Sequence, residues 1–365
     1  MLYSFKKLSF FSILFFLLFS NYFLKVYASE NNPISTKEIS EQAELYTSSL
    51  SNIGKKKKIP PTLQEDCTTV DLRNQNRLQE VRDQGGVSWC YAHATADLLQ
   101  YHFQTEKISA SDIAIQYNKT FVPFLMKKFI NFFAWLRGSD QRFLEHETGF
   151  IKIALKKMLN KGYCSKADFP DEYLEKYNFH DGSRELVKYG DAMNDLQVKL
   201  LPTVRQSLGA NIPYVYKFPL ITDNDFVKVL LSEKRKNIYK KFDDLSCGKR
   251  VSFDRFNVKQ FPVIGNRAIA RIDEQLEKNN PVVFDYFSDV LFKPDFKRFK
   301  IGALHTSLGM GRRWNVKTNK CEYLIRNSWG PACNRYSSSY TCEEGYIWIP
   351  QESMYRASLL ATYLD

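Results

Sequence analysis

The sequence predicts an α+β fold, with helices gathered in the first half of the chain and short strands in the second. Three observations carry this. The runs at 90–103 and 149–164 have helical composition or helical spacing and contain no proline. After residue 280 the pattern changes to short apolar runs broken by turn residues: PVVFDYF, HTSLGMG, EYLIRNSW and GYIWIP. The chain has 365 residues, 44% of them apolar, enough to bury a sizeable core as two domains or as one two-lobed unit.

The first element is a leader. In MLYSFKKLSFFSILFFLLF, Lys6 and Lys7 precede an apolar run over residues 8–19. That run has the length of a signal-peptide core, well short of the about 20 residues a membrane span needs. Val26 and Ala28 are small residues placed for cleavage after Ala28, so residues 1–28 read as a signal peptide and the protein as exported: extracellular, periplasmic or lumenal. An uncleaved anchor is the alternative, because Tyr22 to Leu24 extend the apolar character. No stable membrane span is expected after cleavage. Residues 29–66 are polar and broken, and GKKKKIPP at 54–61 reads as an exposed linker or short pro-segment. The folded domain is set at 67–365 and begins with TVDLRNQNRLQEV.

CYAHATADLLQYHF, from Cys90 to Phe103, is made of good helix formers, and the turn DQGGVS before it places Cys90 at a helix N-terminus. FVPFLMKKFINFFAWLRG, 121–138, is a second helical candidate. Phe124, Leu125, Phe129, Phe132 and Phe133 are worth roughly 1.5–3 kcal/mol each when buried. This run is expected to pack on the helical part near the cleft, either narrowing access to it or forming a partner surface. In GFIKIALKKMLNKGYC, Ile151, Ala154, Leu155, Met158 and Leu159 follow amphipathic spacing. Residues 165–265 are mixed and give no assignment. ARIDEQLEKNN, from residue 270, reads as a helix ahead of the strands.

The net charge of +12 comes without zinc-finger spacing, a stacking motif or a basic helix interleaved with aromatics. Nucleic acid, metal and cofactor are therefore not expected. The seven cysteines are an odd number, so in an oxidising compartment one thiol stays free. Cys333 and Cys342 flank the polar loop NRYSSSYT and are expected to pair. Cys67, Cys164, Cys247 and Cys321 supply two more bridges of open connectivity.

Cys90 is the thiol to examine for chemistry. A helix N-terminus and a nearby imidazolium both favour the thiolate. Of the five histidines, His93 sits on the same helix and is drawn into packing, while His102, His146 and His180 have no supporting context. His305 opens a strand-like run, and IRNSWG lies downstream of it. The Asn327 amide can fix an imidazole tautomer, and the Trp329 indole can keep water off that bond. Gln84, six residues before Cys90 (90 − 84), can donate to a developing oxyanion.

The order Gln, Cys, His, Asn, with DQG…C, H…G, NSWG and GYIWI, resembles the papain-like cysteine peptidases. VDLR and EKNNPVVF are similar to further segments of that family. The resemblance covers about 68–117, 147–170 and 268–350. It implies a two-lobed fold, helical lobe plus β-barrel lobe, with the cleft between them, and polypeptide substrates. It implies Cys90 as nucleophile, His305 as acid and base, Asn327 as orienter, Gln84 as oxyanion donor and Trp329 as cover. Gly149, in HETGF, resembles the glycine that exposes backbone to an extended substrate. The Cys90–His305 pair is expected to be a thiolate–imidazolium near neutral pH.

The sequence departs from the family at Val87, where a structural cysteine is usual, and at Trp89, which replaces a small residue. It also carries insertions at about 118–146 and 171–265. The segment before VDLR is shorter than the family's inhibitory propeptide and shows no helical pattern. A thiol acyltransferase or amidase, and a catalytically silent peptide-binding protein, are the alternatives on the same scaffold.

Overall fold

The computed structural model describes residues 36–53, 62–85, 89–118, 149–168, 171, 247, 250–294 and 303–365. The leader at 1–28, the lysine run, the Phe-rich stretch at 121–138, His146, His180 and nearly all of the two insertions lie outside the described residues.

The chain opens on α1, Thr36–Ile53, where the sequence suggests a broken linker. The reason is a narrow apolar stripe among polar residues: Ala43, Tyr46 and Leu50, spaced three and four apart, are all buried. A short strand β1, Val70–Asp71, leads into the helical layer of α2 (Cys90–Phe103), α3 (Ala110–Asn118) and α4 (Ile151–Lys161). The sheet layer follows as β2 (Val258–Pro262), α5 (Asn266–Glu277), β3 (Val282–Phe287), β4 (Leu304–Asn315), β5 (Lys320–Arg326), β6 (Thr341–Glu343), β7 (Tyr346–Pro350), α6 (Gln351–Ala357) and β8 (Ser358–Leu364).

The helices begin and end for local reasons. Phe150 is extended, so α4 starts only at Ile151, and it stops at Gly162, whose φ of +72° leaves the helical region. A side chain there would collide with the carbonyl of Val251, which bridges to Tyr163. α2 is buried continuously from Cys90 to Tyr101, because α3 and α4 cover one side and β4 the other. That sandwiching brings the first turn of α2 to the start of β4.

The strands form one antiparallel sheet in the order β2-β8-β3-β4-β5-β7-β6, with β1 paired to β4. Tyr286 lies opposite His305 and Asp285 opposite Thr306. The β4–β5 register shifts between Gly309 and Gly311, and Gly311 lies directly beneath the Val70 carbonyl, where any side chain would block β1. Helices and an antiparallel sheet share one apolar core, the α+β arrangement expected from the sequence.

Cysteines pair as Cys67–Cys321, Cys164–Cys247 and Cys333–Cys342, leaving Cys90 free and buried. Among the described residues no helix is long and apolar enough to cross a membrane.

Candidate active site

Cys90 is the first residue of α2, preceded by the cap residue Trp89, whose carbonyl accepts from the Ala92 and His93 amides. Its sulfur lies close enough to Thr306 and to the Tyr91 backbone for their polar groups to favour the thiolate. Thr306 follows His305 in β4, so the thiol lies beside the strand residue next to the imidazole.

The His305–Asn327 pair is tightly determined. His305 Nε2 donates to Asn327 Oδ1 at 2.6 Å. The same oxygen accepts from the Ser328 amide and the Ser307 hydroxyl, each at 3.0 Å, and Asn327 Nδ2 donates to the Tyr336 hydroxyl at 3.1 Å. A backbone N–H can only donate, so the Ser328 amide fixes Oδ1 as the end facing His305. That places the proton on Nε2 and leaves Nδ1 as the basic nitrogen. Trp329 lies over the pair, 4.9 Å from the His305 ring, and is itself stacked between Phe292 and Tyr336.

Gln84 is positioned by backbone pairing of its loop with 328–330. Its amide donates to the Ser328 carbonyl at 2.8 Å, and Gly330 donates to the Arg82 carbonyl at 3.0 Å. The Ser328 hydroxyl donates to Gln84 Oε1 at 2.6 Å. Behind this loop lies a buried ionic knot. Asp97, on α2, accepts from Arg82 and from Arg326, each at 2.7 Å, and Arg82 also reaches Asp171 at 3.0 Å. Arg326 directly precedes Asn327, so one carboxylate holds the Gln84 loop, the Cys90 helix and the Asn327 strand together.

Two residues that sequence reasoning did not single out complete the site. The Asp285 carboxylate is buried beside the thiol. Its Oδ1 accepts from Thr306 Oγ1 at 2.7 Å and its Oδ2 from the Tyr46 hydroxyl of α1. The available signal was an acidic residue inside the apolar strand PVVFDYF. Nothing in the sequence pairs it with Tyr46, which lies 239 positions away.

Burial sets the electrostatics. It pushes the Cys90 thiol up to about 12, against hydrogen bonding from Thr306 and with the charge of Asp285 adding to the rise. It lowers His305 to about 4, opposed by the bond to Asn327. It raises the Asp285 carboxyl to about 6, while Tyr46 and Thr306 pull it back. Desolvation thus works against the expected ion pair, because an apolar surround penalises both charged forms.

His305, Asn327, Trp329 and Gln84 are thus linked through the 327–329 segment, and Cys90 lies by Thr306, the residue after His305. Gly149 lies buried next to them, where a side chain would strike the Tyr91 ring at 2.6 Å, and its neighbour Phe150 is covered by Tyr46. His93 is buried in α2 near Arg82, Asp97 and Asp171, as a packed residue. Among the described residues no cluster suited to a metal ion occurs.

No protein-family model matches the chain, and no curated protein is significantly similar to it. Among solved structures it is similar to the proform of the ragweed pollen allergen Amb a 11, a cysteine protease (13% identity, 84% of this chain, 66% of that one, TM-score 0.43). It is also similar to bromelain from Ananas comosus in complex with the E64 inhibitor (11% identity, 81% of this chain, 98% of that one, TM-score 0.41). A third likeness is to xylellain, a cysteine protease from Xylella fastidiosa (16% identity, 85% of this chain, 91% of that one, TM-score 0.40). The chain spans just under two thirds of the length of the ragweed protein. Likenesses at this level assign neither a family nor an activity.

Proposed function

We propose that this protein is an exported papain-like cysteine peptidase, in which residues 67–365 form the catalytic domain and which hydrolyses peptide bonds through an acyl-enzyme. The observation that carries the reading is the free Cys90 at a helix N-terminus, beside the residue next to His305, whose tautomer Asn327 fixes under the cover of Trp329. Three disulfides suit an oxidising compartment.

In this mechanism His305 Nδ1 takes the thiol proton as sulfur attacks the scissile carbonyl. The oxyanion forms against the Gln84 amide and the Cys90 backbone N–H. His305 then protonates the leaving amine, and the acyl-thioester is hydrolysed by water that the same nitrogen deprotonates. Asn327 holds the ring through both steps.

The test is intact-mass labelling with a thiol-directed epoxide together with digestion of a denatured protein substrate. Wild type is expected to gain one label and to cut, and Cys90→Ala to do neither. Cleavage that survives in Cys90→Ala rules the mechanism out.

A further inference from the structure

The site is not empty: the chain's own Tyr46 fills it. α1 straddles the two layers. On the sheet side Gln42 donates to Gln260 at 2.7 Å, Gln260 donates to Thr362 of β8 at 2.9 Å, and Tyr46 donates to Asp285. On the helical side Glu38 pairs with Lys156 of α4, and the Tyr46 ring meets the Phe150 ring edge-on at 4.6 Å. Tyr46 is fully buried and lies close enough to feel the charge of Asp285, Tyr117 and Cys90.

The pocket has a definite chemistry. One carboxylate oxygen of Asp285 is satisfied by Thr306, which belongs to the wall itself. The other takes its donor from Tyr46, so a ligand that displaces α1 must bring a donor or leave that oxygen bare in a dry site. The remaining wall is aromatic, with Phe150 against the Tyr46 ring and Tyr117 tilted on Tyr91. A phenylalanine side chain meets the ring wall and leaves the acceptor unpaired. An arginine or lysine meets the acceptor and buries its charge among aromatic rings with a single counter-charge. A tyrosine meets both.

We propose that Asp285 is a specificity-determining residue, and that the pocket now holding Tyr46 binds a tyrosine side chain of the substrate at a fixed position beside the cleaved bond. This rests on the peptidase reading above. The protein then favours tyrosine-bearing peptides, and α1 competes with them for Asp285.

The experiment compares labelling of Cys90 in the full-length protein by three peptidyl epoxides that differ in one side chain: tyrosyl, phenylalanyl or arginyl. Rates are read by intact mass. Wild type is expected to react at least about tenfold faster with the tyrosyl reagent than with the phenylalanyl one, the discrimination typical of a buried polar group left unpaired. In Asp285→Val that preference should collapse towards unity. In Tyr46→Phe all three rates should rise several-fold with their ratios unchanged, because the competitor loses its bond to Asp285. Equal tyrosyl and phenylalanyl rates in wild type overturn the proposal, as does a fastest arginyl rate. If Asp285→Val fails to fold, the wild-type ratio and Tyr46→Phe decide the matter alone. Digestion of a peptide mixture separates the two readings. Cleavage without tyrosine enrichment overturns the pocket and leaves the peptidase standing. Tyrosyl-selective labelling without any cleavage does the reverse.

Discussion

At the scale of residues, the Asn327 amide decides which nitrogen of His305 is basic, and Ser328 orients Asn327 through its backbone amide and holds Gln84 through its hydroxyl. Gln84→Ala should lower kcat by roughly 10²–10³, the usual loss for one oxyanion donor, measured by steady-state peptide hydrolysis. His305→Ala should abolish turnover. The buried thiol makes a second prediction. While α1 is docked, alkylation of Cys90 by iodoacetamide should still be accelerating at about pH 10, because the thiolate is scarce below that. Tyr46→Phe should move the curve to lower pH, and a plateau already reached near pH 6 in wild type would contradict the raised thiol. Stability carries its own pH signature. An unfolded histidine binds its proton near 6.5, whereas burial delays His93 and His305 to about 4. The unfolded state binds more protons in between, so stability falls as pH drops from 6.5 to 4. Asp285, raised from 3.8 to about 6, acts in the opposite sense from about pH 6 downward, since there the folded state holds the extra proton. Two imidazoles against one carboxyl leave a net loss on acidification. Urea titrations across this range check it, and His93→Gln should flatten the slope. Gln84, Cys90, His305 and Asn327 stand out in the sequence because each belongs to a short local pattern. Tyr46 with Asp285 does not, because that bond joins distant segments and neither residue sits in a motif.

At the scale of elements, α2 owes its setting to Asp97 as much as to its apolar faces. A buried carboxylate serving two guanidinium groups is costly to break: removing one partner of such a pair typically costs about 3–5 kcal/mol. Asp97→Ala should lose stability of that order in a denaturant titration. Asp97→Asn should fold, with kcat falling more than KM rises, since it loosens the Gln84 loop against the Asn327 strand without touching the pocket. An equal loss in both variants of binding alone would show the knot to be structural only. The elements found in the sequence were those with one clean period. α4 and α5 show helical spacing, and β3, β4, β5 and β7 are apolar runs bounded by turns. β8 was missed because SLLATYL continues from α6 with no turn residue between them, and all seven of its residues are buried. α1 was missed for the opposite reason: three apolar positions in a polar segment look like a solvated tail until the partner surface is known.

At the scale of the whole molecule, Asp97 ties the helical layer to the sheet layer, and three disulfides staple the chain. Cys67–Cys321 closes 254 residues of chain and Cys333–Cys342 only 9. In the chain-entropy account the first is worth about 5 kcal/mol and the second about 2–3. Cys67→Ser/Cys321→Ser should therefore unfold at lower denaturant than Cys333→Ser/Cys342→Ser, and equal midpoints would contradict this. The division into a helical first half and a stranded second half was legible from composition alone, whereas the helix that lies across both was not. That helix has a kinetic corollary. Its hold on Asp285 and Gln260 is an intramolecular association, and if residues 54–61 are the linker their sequence suggests, a short flexible linker gives an effective concentration on the order of millimolar. Cutting within the lysine-rich segment turns the association into a two-body equilibrium. The nicked protein would then stay closed when concentrated and open on dilution, so its specific activity would rise as it is diluted while that of the intact chain stays constant.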